Sequence, residues 1–143
     1  MLVLPGSPAL SSARFQLLAA EIAALDGDWQ LREVVYAYAV DVAEQQSVDA
    51  LRLAALLQPG TDDLADASAL TRPGQRIVMP RLGTISPWSS KATDIARNCG
   101  FAHVQRVERV TVFGIEGLLS GDDCRALDAV IHDRMVETVV DSM

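Results

Sequence analysis

Pro80-Arg-Leu-Gly-Thr-Ile-Ser-Pro-Trp-Ser-Ser-Lys-Ala-Thr-Asp-Ile-Ala-Arg-Asn-Cys-Gly100 contains a strand end, a loop and a whole helix. The apolar run Ile77, Val78, Met79 reads as a strand closed by Pro80, after which the chain turns at Gly83. Ser86 suits the N-cap, where its hydroxyl accepts a backbone N–H, and Pro87 suits the first helical position, where no N–H is needed. The spacing predicts a buried stripe of Trp88, Ala92, Ile95 and Cys99. Gly100 ends the helix, free to take the left-handed conformation. Small polar groups crowd the helix start: Arg81, Thr84, Ser86, Ser89, Ser90 and Lys91. Free N–H groups and partial positive charge at a helix N-terminus suit a phosphate or carboxylate. The same serines would also serve simply as caps, and both readings stand.

Working outward, the same plan occurs twice. In the first half Leu2, Val3 and Leu4 form a strand ended by Pro5 and Gly6. Ser7-Pro8 repeats the cap and proline, opening a helix to about Asp26 with Phe15, Leu18, Ile22 and Leu25 as its stripe. A long strand over 29–42 puts Tyr36 and Tyr38 on one face and Val35, Ala37 and Ala39 on the other. Ser47 then caps a helix with stripe Val48, Leu51 and Ala55, stopping at Pro59 and Gly60.

The second half continues beyond the opening stretch with a long strand over 104–117. There Val107, Val110, Val112 and Ile115 stand among Arg106, Glu108 and Arg109, whose alternating signs predict a solvated face or cross-strand pairs. Ser120 to Asp123 start the last helix, with inner stripe Cys124, Leu127, Ile131, Met135 and Thr138. His132, Asp133 and Arg134 look outward or sideways and read as a surface or an interdomain contact. Sequence neighbours on a helix do not face each other, so His132 and Asp133 are no acid–base pair.

The halves, about 1–60 and 75–140, are offset by about 75 residues, too long for a solenoid unit. A connector over 61–74 joins them. Its Asp62, Asp63 and Asp66 lack the glycine and terminal glutamate of a calcium loop. Each half is expected to carry an apolar sheet face, the two faces covering each other.

The chain of 143 residues is one domain in length, enough to bury about 70% of its unfolded surface. A net charge of −7 argues against nucleic acid and anionic membrane as partners. No apolar run reaches the ~20 residues of a membrane span, and Met1-Leu-Val-Leu-Pro5 lacks the basic start of a signal peptide. Cys99 and Cys124 show no metal-ligand spacing and are expected as buried free thiols in a reducing cytoplasm.

The 80–100 segment, with Gly6-Ser-Pro-Ala-Leu-Ser11 before it and His132-Asp-Arg-Met-Val-Glu-Thr138 after it, resembles the N-terminal domain of large, single-chain phosphoribosylformylglycinamidine synthase. This glutamine-dependent amidotransferase belongs to purine biosynthesis. Pro5, Leu82 and Arg97 depart from the family pattern, which carries Arg, Pro and His there. The resemblance implies an α+β, PurS-like fold: two fused ferredoxin-like β-α-β-α halves, antiparallel sheets flanked by helices and a pseudo-twofold axis. It also implies a parent enzyme that makes formylglycinamidine ribonucleotide from formylglycinamide ribonucleotide, glutamine and ATP. In that enzyme ATP and magnesium serve a synthetase module, and a Cys/His glutaminase supplies ammonia. This chain has no glycine-rich phosphate loop, no carboxylate cluster of magnesium-site character and no cysteine paired with a nearby histidine. It is therefore expected to hold no cofactor or metal, to be inactive and monomeric alone, and to partner the synthetase and glutaminase domains of the same polypeptide. The 81–91 loop would face a phosphorylated small molecule or the adjoining domain. The rival reading is a stand-alone ferredoxin-like module that binds a small anion or regulates.

Overall fold

The computed structural model describes residues 1–25, 27–44, 46–58, 70–117 and 119–143. In chain order the elements are β1 (Leu2–Pro8), α1 (Ser12–Ala23), β2 (Trp29–Val42), α2 (Ala50–Leu57), β3 (Arg76–Pro80), α3 (Pro87–Asn98), β4 (Val104–Gly117), α4 (Gly121–Ile131) and β5 (Glu137–Val140). The strands form one sheet in the order β1-β2-β4-β3-β5, every pair antiparallel. The fold class is α+β and ferredoxin-like.

β2 and β4 are rich in β-branched residues and pair along their whole length, from Trp29 opposite Gly117 to Val42 opposite Val104. Their alternation gives the sheet two apolar faces. On one, Tyr38, Val40 and Val107 pack with Leu53 and Ala54 of α2 and Ala92 and Ala96 of α3. Further along that face Val34, Phe113, Ile115 and Val78 pack with Ile22 of α1 and Leu127 of α4. Each cluster thus takes one helix from each half of the chain. On the opposite face Val35, Ala37, Ile77, Val110 and Val112 form a third cluster, with no helix residue among its described members and Leu70 packed against it.

The order β1-β2-β4-β3 is what a twofold axis between the central strands produces. Tyr36 lies opposite Thr111, the residue that the repeat offset makes its counterpart, so this pair marks the axis. The halves meet edge to edge within one sheet, not face to face as expected. The reason is the length of β2 and β4, which satisfy each other's backbone groups over the whole seam. β5 adds a strand outside β3. Most of the expected connector, with Asp62, Asp63 and Asp66, lies outside the described residues, as do Asp26, Pro59 and Gly60.

Several local expectations need correction. β1 runs through Pro5 and Gly6 to Pro8, because an edge strand tolerates a residue without an N–H, and Ser11 rather than Ser7 caps α1. Asp49, not Ser47, caps α2, whose buried residues are Leu53 and Ala54, while Leu51 is exposed. α3 is rotated from its expected stripe. It buries Ser89, Ala92, Thr93 and Ala96, leaving Ile95 and Cys99 in solvent. Cys124 is half-buried. α4 stops at Ile131, because the β-branched run Thr138, Val139, Val140 completes the open edge of β3, so Met135 and Thr138 are not on the helix.

The openings of α3 and α4 follow expectation. Ser86 and Ser120 are N-caps, and Gly100, at φ 96, closes α3. At α4 the Ser120 backbone N–H donates to the Asp123 carboxylate at 2.9 Å, and the Asp123 N–H donates to Ser120 Oγ at 3.2 Å. The Ser120 backbone bond, helped by its hydroxyl, holds the Asp123 carboxyl below its usual 3.8. A lowered folded value stabilises above 3.8 and is lost as pH falls through the folded value. An NMR titration should therefore show Asp123 and the Ser120 amide moving together with a midpoint below 3.8. A midpoint at the ordinary value would show that the capping box does not hold in solution.

Candidate functional site

The twofold plan breaks most at the loop before α3. Between Pro8 and Ser11 the first half has only Ala9 and Leu10, whereas between Pro80 and Ser86 the second half has Arg81, Leu82, Gly83, Thr84 and Ile85. The Arg81 N–H donates to Val136 O at 3.0 Å, tying the longer loop to the turn before β5. Thr84 closes the loop on itself, its hydroxyl donating to Arg81 O at 2.5 Å. Loop and turn together expose Leu82 (89%), Ile85 (63%), Met135 (79%) and Val136 (59%). Ile85, Met135 and Val136 border one groove, while Leu82 borders the hollow on the other side of the loop.

Below the loop lies a groove of about 560 Å³ on the helix-bearing face, between the start of α3 and the turn before β5. Tyr36 and Thr111, the axial pair, line its floor with Arg109. The Arg109 guanidinium stacks on Tyr36, 4.5 Å from the ring centre, and on Trp88 at 4.9 Å. Trp88 also stacks on Tyr38, with ring centres 5.7 Å apart. Burial pushes the Tyr38 phenol above its ordinary value, partly offset by the Arg109 charge.

The serines at the helix start have internal duties. The Ser86 hydroxyl accepts the Ser89 N–H at 3.0 Å and donates to the Glu108 carboxylate at 2.8 Å. Ser89 is fully buried and donates to Val107 O at 2.6 Å. Thr93 donates to Ser89 O at 2.7 Å and accepts the Val107 N–H at 3.0 Å. These bonds stitch α3 to β4, and they explain the rotation of the helix. Ser89 is therefore not available to an external phosphate. Ser90 and Lys91 are exposed on the outer side of α3.

His132 caps α4, its Nδ1 against Asp128 O, while Asp133 and Arg134 lie exposed in the turn. The turn that follows brings Met135 and Val136 to the 81–85 loop, a meeting that sequence reading did not give. Reading by residue type passed over Glu108 and Arg109. Glu108 is buried and bonded to Arg106 at 2.9 Å, and Arg109 belongs to the groove, so neither lies on a solvated strand face. The available signal was parity, since Arg109 shares its face with Phe113 and Ile115. Among the described residues no group of three or more His, Cys, Asp or Glu is placed to hold a metal. Nor, among them, is any helix long and apolar enough to cross a membrane.

The fold and groove define an antiparallel α+β domain of ferredoxin-like build with an added loop at one end of its axis. Residues 35–143 match the family described as formylglycinamide ribonucleotide amidotransferase N-terminal. The chain belongs to that family, which links it to purine biosynthesis.

Proposed function

We propose that the chain is a non-catalytic docking domain of phosphoribosylformylglycinamidine synthase, which packs on the synthetase module and helps shape the substrate cleft and ammonia route. In this reading ATP, magnesium and the glutaminase chemistry belong to the other domains of a cytoplasmic parent enzyme, a ligase forming a C–N bond. The observation that carries it is the apolar surface of the longer loop and adjoining turn, where Leu82 is 89%, Met135 79% and Ile85 63% exposed. Arg81 and Lys91 supply charge at its border. Ser86, Trp88 and Ser89 hold its shape, Thr84 sets the loop turn, and Ser90 offers a hydroxyl outward. His132, Asp133 and Arg134 extend the same contact. The rival reading, a free small-anion module, loses support because the Ser86 and Ser89 hydroxyls are spent on internal bonds.

Leu82→Asp with Ile85→Asp, made in the whole amidotransferase, should lower glutamine-dependent synthesis about tenfold or more, since two charges would be forced into a dry interface. Synthesis from free ammonia should fall less, and more glutamate should form per product. Ser90→Ala with Lys91→Ala tests whether the loop also meets substrate, through a higher Michaelis constant for the nucleotide. Unchanged kinetics in the Leu82 and Ile85 variant would remove the docking role.

A further inference from the structure

We infer that the axial groove is a receptor for a carboxylate side chain, an Asp or Glu flanked by apolar residues in a docking protein segment, with Arg109 as its anchor. Only the identity of the chain that supplies the segment rests on the docking reading; the recognition chemistry stands apart from it.

The argument begins with Arg109 itself. Its guanidinium carbon lies over the Tyr36 ring at 4.5 Å and over the Trp88 ring at 4.9 Å, contacts with the ring faces that use up none of its N–H donors in hydrogen bonds. Among the described residues the guanidinium makes no hydrogen bond and no ion pair, although Arg109 is half-buried and lines the groove. A fixed, partly desolvated cation with its fork unused matches a carboxylate, which accepts two parallel N–H bonds from one guanidinium. The aromatic stack fixes the fork in advance, so little conformational entropy is lost when the anion arrives.

The walls choose between anions. Glu108 and Glu137 stand in the same groove, Glu108 accepting from Ser86 and Arg106, Glu137 from the Asp133 N–H at 3.0 Å. Two resident carboxylates disfavour a phosphate dianion more than a single negative charge. The mouth then chooses between a free acid and a peptide. Ile85, Met135 and Val136 line it while 63%, 79% and 59% exposed, and a small acid would leave them wet. A groove of about 560 Å³ accommodates an acidic side chain with its two neighbours, and apolar neighbours would cover that rim.

The test is an NMR titration of the full 143-residue chain with acetyl-Leu-Glu-Leu amide, following the Arg109 Nε–H and Trp88 Nε1–H resonances. The same titration with the Gln counterpart and with inorganic phosphate gives the comparison. Expected are a saturable shift at Arg109, binding about tenfold weaker or worse for the Gln peptide, and no displacement by equimolar phosphate. Arg109→Gln should abolish the shift at Trp88, and Arg109→Lys should restore part of it, because charge returns without the fork. Should Arg109→Gln misfold, the wild-type Arg109 resonance and the Glu-to-Gln comparison still decide. Equal binding of the two peptides, a silent Arg109 resonance or preferential binding of phosphate would each overturn the inference. Because the peptide is supplied free, such a failure is separate from a failure of docking in the intact enzyme.

Discussion

Asp128→Ala lowers the unfolding free energy by about 3 kcal/mol, among the largest losses available to a single side chain outside the apolar core. Asp128 on α4 receives two bonds from Arg76 on β3, at 2.8 Å from Nε and 2.5 Å from Nη2, so this fork joins helix to sheet. Both side chains are mostly buried, with 14% and 21% of their surfaces exposed, and solvent screens the pair far less than a surface one. The hydrogen bond to Asp128 raises the Arg76 pKa further, so the guanidinium stays charged at any working pH. Removing the acid leaves that charge without its partner in a dry place. Replacing both, as Arg76→Met with Asp128→Leu, should recover most of the loss, since a buried pair contributes little against a well-packed apolar one. Urea denaturation of the three variants measures this. A loss below about 1 kcal/mol for Asp128→Ala would put the pair in the surface class.

Gly117→Ala should cost about 3 kcal/mol for a different reason. Gly117 ends β4 at φ 126, where a side chain is strained by about 1–2 kcal/mol. An added Cβ would also lie 2.3 Å from the Asp28 carbonyl oxygen and 2.8 Å from Trp29 Cα, and backbone cannot step aside as a flexible side chain would. Overpacking of that kind adds about 1–3 kcal/mol. Trp29 is buried at this end of the central ladder, so its emission should shift red in the variant while the far end of the sheet stays unchanged. Stability within about 0.5 kcal/mol of the parent would show that the strand end is free to rearrange.

The candidate site was legible in part. The Ser86 and Pro87 helix start, and the crowding of Arg81 to Lys91, lie at the end of the molecule that carries the groove and the exposed loop. Which groups there are free was not legible. Ser89 looks like a donor by type, yet its hydroxyl is the bolt between α3 and β4. Arg109 looks like surface charge by pattern, yet the tertiary fold lays it over two aromatic rings that are distant in sequence. Leu82 stood out only as a departure from the family pattern, and it took the fold to show that the described residues leave both it and Ile85 exposed.

Patterns within a few turns of chain determined the two long strands, the capped helices and the doubled plan, because caps, prolines and alternation act on neighbouring residues. Tertiary structure alone decided that the halves share one sheet edge to edge, that each cluster on the helix-bearing face borrows a helix from either half, and that residues 137–140 form a strand. Those outcomes depend on which exposed backbone edge and which apolar face find a partner. That competition is between segments far apart in the chain, and no local pattern records its winner.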